Sequence, residues 1–207
     1  MGKHANSTDS RLLSRIRGMK PGTVFMPRQF YDLGTRNAVA SALKRMKAAG
    51  HVRQLSRGMY DRPIINEILG KVPPSSAAIA KAIERTEQAK VQPSGASAAN
   101  ILGISEQVPG RTTFLTSGPS RVIRIGKRQI TFKHASPRFM AGAGTKAGLI
   151  VSAMRHMGRA NIDAATMESI RRNIAPDERP AVARHIAHAP AWIADAMRPI
   201  LEEAGSR

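Results

Sequence analysis

Between Thr35 and Gly50 the chain specifies a helix almost completely. Val39, Leu43 and Met46 recur at i, i+4 and i+7, a hydroxyl residue precedes the run, and a glycine follows it. An apolar stripe of this kind is stable in water only when something covers it. One side of this helix must therefore face a core and the other must face outward. The outward side carries Arg36, Asn37, Ser41 and Lys44, with Arg45 and Lys47 on its flanks. These side chains can reach phosphates and base edges, and no carboxylate stands between residues 33 and 60 to neutralise them. The pattern predicts a recognition helix.

The flanking segments extend that expectation to a module. Ser7 or Thr8 caps a first helix through Leu12, Leu13 and Ile16, which Gly18 and Pro21-Gly22 end. Thr23 to Met26 is extended, and Pro27 starts a short helix that carries Arg28, Phe30 and Leu33. After Gly50, His51 to Leu55 and Met59 to Asp61 read as two strands joined by Ser56-Arg57-Gly58. Val52 and Leu55 are three apart, which breaks the strand period and admits a bulge. Three helices and a basic hairpin predict an amino-terminal winged helix-turn-helix. Its expected DNA contacts are Arg28, Thr35, Arg36, Asn37, Ser41, Lys44, Arg45, Arg53 and Arg57. Arg36 and Asn37, near the helix amino terminus, are the expected base readers, and Lys44, Arg53 and Arg57 the expected phosphate contacts.

Charge points the same way. Lys and Arg number 33 against 14 acids, a net charge of +19, well beyond the magnitude of about 2 to 8 that keeps a small domain soluble. Residues 1–63 hold 13 of the bases and only three acids, Asp9, Asp32 and Asp61. A polyanion is the expected partner class, and duplex DNA leads it.

The 207 residues suffice for two cores, and the break near Pro63 divides them into a DNA-binding domain over 1–67 and a second domain over 68–207. In the second, Pro73-Pro74-Ser75-Ser76 leads into a helix through Ile79 and Ile83, and Ser94 opens another that Gly103 closes. Arg111 to Thr116, Ser120 to Ile125 and Gln129 to His134 predict an antiparallel meander. Thr145 caps a helix through Leu149, Ile150, Met154 and Met157, and helices are expected around 163–174, 177–188 and 192–204. The expected fold class is α+β, with a small antiparallel sheet and several helices after the winged module.

Catalytic and metal patterns are absent from the sequence. A nucleotidyltransferase needs paired carboxylates to hold two metals, and no Asp-x-Asp or Asp-x-Glu occurs. Gly142-Ala143-Gly144-Thr145-Lys146 lacks the spacing and the ending of a phosphate loop and reads as a lead into a capped helix. His185 and His188 have no third ligand nearby, and Met154, Met157, Met167 and Met197 read as core. With no cysteine there is no thiolate site and no disulfide. The expectation is a protein that is not an enzyme and takes no metal or cofactor. The polar start, Met1 to Thr8, lacks a signal-peptide core and the hydroxyl residue of a myristoylation signal, no apolar run is long enough for a membrane span, and a cytoplasmic location is expected.

Two segments carry a family resemblance. Phe25-Met26-Pro27-Arg28-Gln29-Phe30-Tyr31-Asp32-Leu33-Gly34, with Ala38-Val39 and then Gly50 to Pro63, resembles the amino-terminal domain of AbiEi-type antitoxins of type IV toxin-antitoxin systems. Pro93 to Pro109 is similar to a helix-loop signature in the second domain of one branch of that family. The resemblance implies a repressor that binds the operator of its own operon and whose carboxy-terminal domain counters a nucleotidyltransferase-like toxin. The rival reading from another class is a basic RNA-binding or ribosome-associated protein. Aromatics at 4% leave little on which to stack unpaired bases, which counts against it. A pure protein-interaction adaptor leaves the charge of residues 1–63 without a use.

Overall fold

The computed structural model describes residues 7–68, 70–105 and 112–202. The starting residues Met1 to Asn6, the end of the second signature from Glu106 to Pro109, the expected strand start at Arg111 and the helix end beyond Glu202 lie outside them. The chain is α+β and forms two compact units: Met1–Ala89 with Ile123–Arg128, and Lys90–Val122 with Gln129–Arg207.

The first unit opens with α1 (Thr8–Arg17), capped by Ser7, whose hydroxyl accepts from the Ser10 N–H. β1 (Val24–Phe25) and a 3-10 turn at Pro27–Phe30 lead to α2 (Arg36–Ala48). β2 (Arg53–Ser56) and β3 (Met59–Asp61) follow as a hairpin, turned at Gly58 with φ of 73°, where only glycine is free of strain. β3 is central, in the order β1-β3-β2, and both pairings are antiparallel. The expected bulge is present, between Gln54 and Ser56.

Leu12 and Ile16 of α1 and Val39, Ala42, Leu43 and Met46 of α2 bury against Phe25, Phe30, Leu33 and Val52. Phe25 meets Phe30 edge-on at 5.3 Å and stacks on Tyr60 at 6.1 Å. Each large aliphatic or aromatic side chain so buried stabilises the unit by roughly 1.5–3 kcal/mol, more than any exposed ion pair on the same surface contributes. The orientation of α2 is therefore set by its apolar stripe.

The first unit does not stop at residue 67. A hairpin of β4 (Ile64–Asn66) and β5 (Gly70–Val72) follows, which the sequence pattern did not signal, and then α3 (Ser76–Glu87). α3 buries Ile79, Ala82 and Ile83. Two polar contacts tie it to earlier elements: Gln29 Nε2 donates to Thr86 Oγ1 at 2.6 Å, and Arg85 reaches the Val24 carbonyl at 3.4 Å. Arg128 fixes the lead into α3, donating to the Pro74 carbonyl and Ser76 Oγ. These contacts move the compact boundary from the expected 67 to Ala89.

The second unit carries β6 (Val91–Pro93), α4 (Gly95–Ile101), β7 (Thr112–Thr116), β8 (Arg121–Ile125) and β9 (Arg128–His134), the β8–β9 tip being counted with the first unit. Its sheet corrects the expected antiparallel meander. The order is β6-β7-β9-β8, and β7 runs parallel to β9, with Phe114 opposite Phe132. The longer β9 buries Ile130 and Phe132 and takes the interior position, where Phe132 stacks on Phe114 at 5.4 Å. β8 leaves Val122 and Arg124 exposed and stays at the edge.

The helices are α5 (Pro137–Met140), α6 (Lys146–Met157), α7 (Ala164–Arg172), α8 (Arg179–Ile186) and α9 (Ala191–Glu202). Ala98 and Ala99 of α4 pack with Ile150, Ala153 and Met154 of α6, and Ile170, Val182, Ile186, Ile193 and Met197 extend the same core. α4 and α6 approach so closely that a Cβ at Gly95 would lie 2.4 Å from His156 Cβ. Thr145 caps α6, accepting from the Gly148 N–H. His185 and His188 are exposed. No helix among the described residues is long and apolar enough to cross a membrane.

Candidate nucleic-acid interface

Thr35 sits just before α2, and its Oγ1 accepts from the Ala38 N–H at 3.2 Å. It serves the helix cap. From there, Arg36, Asn37, Ser41 and Lys44 are all exposed, opposite the buried stripe. Arg36 and Lys44 have no ion-pair partner among the described residues, and the same holds for exposed Arg28 on the 3-10 turn and Arg57 beside Gly58 at the hairpin tip. The arrangement presents a helix face and a hairpin tip that are cationic, solvated and uncompensated.

Two of the expected contacts are engaged inside the unit instead. Arg45 pairs with Asp9 of α1, its Nε at 2.7 Å and Nη2 at 2.6 Å from the carboxylate oxygens. That bond holds the Asp9 carboxyl below its usual range against a small opposing effect of burial, and it raises Arg45 in turn. Arg53 is committed more deeply. Its Nε and Nη2 donate to the two oxygens of fully buried Asp61 at 3.1 and 2.5 Å, and its guanidinium also reaches the carbonyls of Lys71 and Val72 at 3.3 and 2.8 Å. Arg53 joins β2, β3 and β5, and is not displayed as the expected phosphate contact.

Sequence reasoning also missed three fixed bases. Lys47 Nζ donates to Gln54 Oε1 at 2.9 Å and links α2 to β2. Arg62 donates to the carbonyls of Arg17 and Met19, and Arg15 pairs with Asp32 at 2.7 Å, lowering the Asp32 carboxyl. Each acid of residues 1–63 thus takes one arginine: Asp9 with Arg45, Asp32 with Arg15, and Asp61 with Arg53. The partners lie 36, 17 and 8 positions apart, which local pattern cannot show. No group of three His, Asp or Glu residues able to hold a metal occurs among the described residues.

Over residues 11–179 the sequence matches the model of the Family of unknown function (DUF6088). The chain belongs to that family. No curated protein matches it. Among solved structures, this DUF6088 chain is similar to the Rv2827c protein from Mycobacterium tuberculosis at 15% identity and a TM-score of 0.42, covering 96% of this chain and 77% of that one.

Proposed function

We propose that the first unit is a winged helix-turn-helix that docks α2 in the major groove of duplex DNA, and that the chain represses transcription. One observation carries this reading: the face of α2 opposite its buried stripe bears Arg36, Asn37, Ser41 and Lys44, exposed and uncompensated. Asn pairs bidentately with adenine and Arg with guanine, and recognition helices contact base edges through their amino-terminal residues. The order α1, 3-10 turn, α2, hairpin supports the winged reading, as does β1 pairing with β3. Arg57 at the hairpin tip suits a backbone contact beside the groove. The resemblance to AbiEi-type antitoxins extends the proposal to an autoregulating antitoxin in the cytoplasm, paired with a nucleotidyltransferase-like toxin. Neither role asks the chain for catalysis.

The test is binding of the full chain to the duplex immediately upstream of its own reading frame and to a scrambled duplex, across a salt series. Arg36→Ala or Asn37→Ala should weaken binding to the upstream duplex by about 1–3 kcal/mol and relax sequence preference. Arg57→Ala should weaken both duplexes alike and lower the salt slope by about one. If folded Arg36→Ala and Asn37→Ala variants bind both duplexes as the parent does, α2 does not read DNA.

A further inference from the structure

The second unit holds two cavities that share a wall of Arg138, Phe139 and Arg155. The first, about 240 Å³, is also lined by Gln92 of β6, Leu115 of β7 and residues of α6, His156 among them. The second, about 580 Å³, adds Arg159 and Trp192. No carboxylate among the described residues lines either cavity. Arg138, Arg155 and Arg159 have no ion-pair partner among the described residues.

Three features specify what could fill this place. The first is charge. The Arg155 guanidinium is held 4.5 Å over the Phe139 ring, and both burial and the neighbouring Arg138 work against its protonated form. Two guanidiniums gathered without an anion repel each other, and a phosphate or carboxylate placed between them reverses the sign of that interaction. The second feature is an orphaned acceptor. Gln92 is 4% exposed, its Nε2 donates to the Phe139 carbonyl at 3.0 Å, and its Oε1 is buried with no partner. The bond to a carbonyl fixes which end of the amide is which, so the free end accepts and calls for an O–H or N–H. The third is aromatic surface. Phe139 is 52% exposed with Arg155 over its ring, and half-buried Trp192 lines the wider cavity, in a chain with few aromatics.

We propose that this double cavity binds a mononucleotide, with its phosphate on Arg138 and Arg155, a hydroxyl or amino group toward Gln92 Oε1, and its base against Phe139 or Trp192. The smaller cavity corresponds to about eight water volumes, room for a phosphate and part of a sugar, while the wider one takes a planar ring. The site lies wholly in the second unit, and its test is independent of the DNA reading.

Trp192 is the only tryptophan, so its fluorescence reports this site directly. The full chain is titrated with AMP, GMP, CMP and UMP, and separately with inorganic phosphate, adenosine and a short single-stranded oligonucleotide. At least one mononucleotide should give a saturable change in emission and raise Tm. Phosphate and adenosine should each bind at least tenfold more weakly than the best nucleotide. Arg138→Gln and Arg155→Gln should each weaken that nucleotide tenfold or more. Arg155→Gln also loses the contact with Phe139, so Arg138→Gln, at an exposed position, decides if the former misfolds. The proposal is overturned if no mononucleotide gives a saturable response. It is also overturned if Arg138→Gln leaves the response intact, or if the oligonucleotide binds through these arginines and mononucleotides fail to compete.

Discussion

Removing Asp61 separates two readings of Arg53. Asp61 is fully buried on the central strand of a three-stranded sheet, and both its oxygens accept from Arg53. Asp61→Ala leaves a guanidinium whose side chain is only 23% exposed without its counter-charge. Deleting one partner of a buried pair costs about 3–5 kcal/mol. Arg53 keeps the Val72 and Lys71 carbonyls at 2.8 and 3.3 Å, so the lower end, about 3 kcal/mol, is expected here. For a chain of this size that is a fall in Tm of about 6–12 °C if it unfolds as one, and more if the first unit melts alone.

Urea and thermal unfolding of Asp61→Ala, Arg53→Met and Arg53→Met/Asp61→Leu measure the pair as a cycle. The singles should each lose several kcal/mol, of the order of about 3, and the double variant should recover much of it, because two apolar groups leave no unpaired charge behind. At a temperature where Arg53→Met is folded, its salt slope on DNA should equal the parent's. If both single variants lose less than about 1 kcal/mol, or if Arg53→Met lowers the salt slope, the guanidinium is not structural and belongs with the DNA contacts.

Acid should loosen the first unit through its exposed pairs. Arg45 and Arg15 depress the Asp9 and Asp32 carboxyls, so these pairs stabilise above the unfolded carboxyl value of about 3.9 and lose that stabilisation as pH falls through the lower folded values. Both pairs are solvated and the effect is small. Tm against pH should show Asp9→Asn and Asp32→Asn below the parent at neutral pH, with the gap closing below about pH 4; a gap that widens in acid contradicts the assignment. Within α6, a Cβ at Gly148 would lie 2.1 Å from the Gly142 carbonyl oxygen, so Gly148→Ala should destabilise by about 1–3 kcal/mol. An unchanged unfolding midpoint for that variant would mean that the loop does not approach α6 as closely as it does here.

What could be read from the sequence was local. Thr35, the Val39–Leu43–Met46 stripe and Gly50 lie within one helix length, and α2 spans Arg36–Ala48 accordingly. The three-residue step from Val52 to Leu55 marked the bulge for the same reason. The sheet of the second unit could not be read this way. Three strands joined by two turns suggest a meander, and only competition for the interior, which β9 wins with Ile130 and Phe132, sets β7 and β9 parallel. The hairpin of β4 and β5 escaped because Ile64 and Ile65 are adjacent, exposed and without alternation. The boundary at residue 67 rested on the break near Pro63, while α3 belongs to the first unit through contacts with residues more than 50 positions away.

The same division between local and distant information runs through the candidate interface. A count of bases in residues 1–63 treats Arg45, Arg53 and Arg57 as equivalent, because each is a basic residue near the same helix and hairpin. They are not equivalent once the acids are placed. Arg45 and Arg53 are held by carboxylates, and Arg57 has no ion-pair partner among the described residues. A held guanidinium must give up its partner before it meets a phosphate. For Arg53 that means exposing a buried carboxylate, a penalty larger than one phosphate contact returns. For Arg45 the pair is solvated, and the exchange is nearly even. Arg36, Lys44 and Arg57 give up only water and counter-ions, and the release of those ions is what drives association with DNA. The free bases, not the total charge, therefore mark where a polyanion would sit, and on the first unit they include Arg36 and Lys44 on one face of α2, Arg57 at the tip of the hairpin that follows it, and Arg28 on the 3-10 turn.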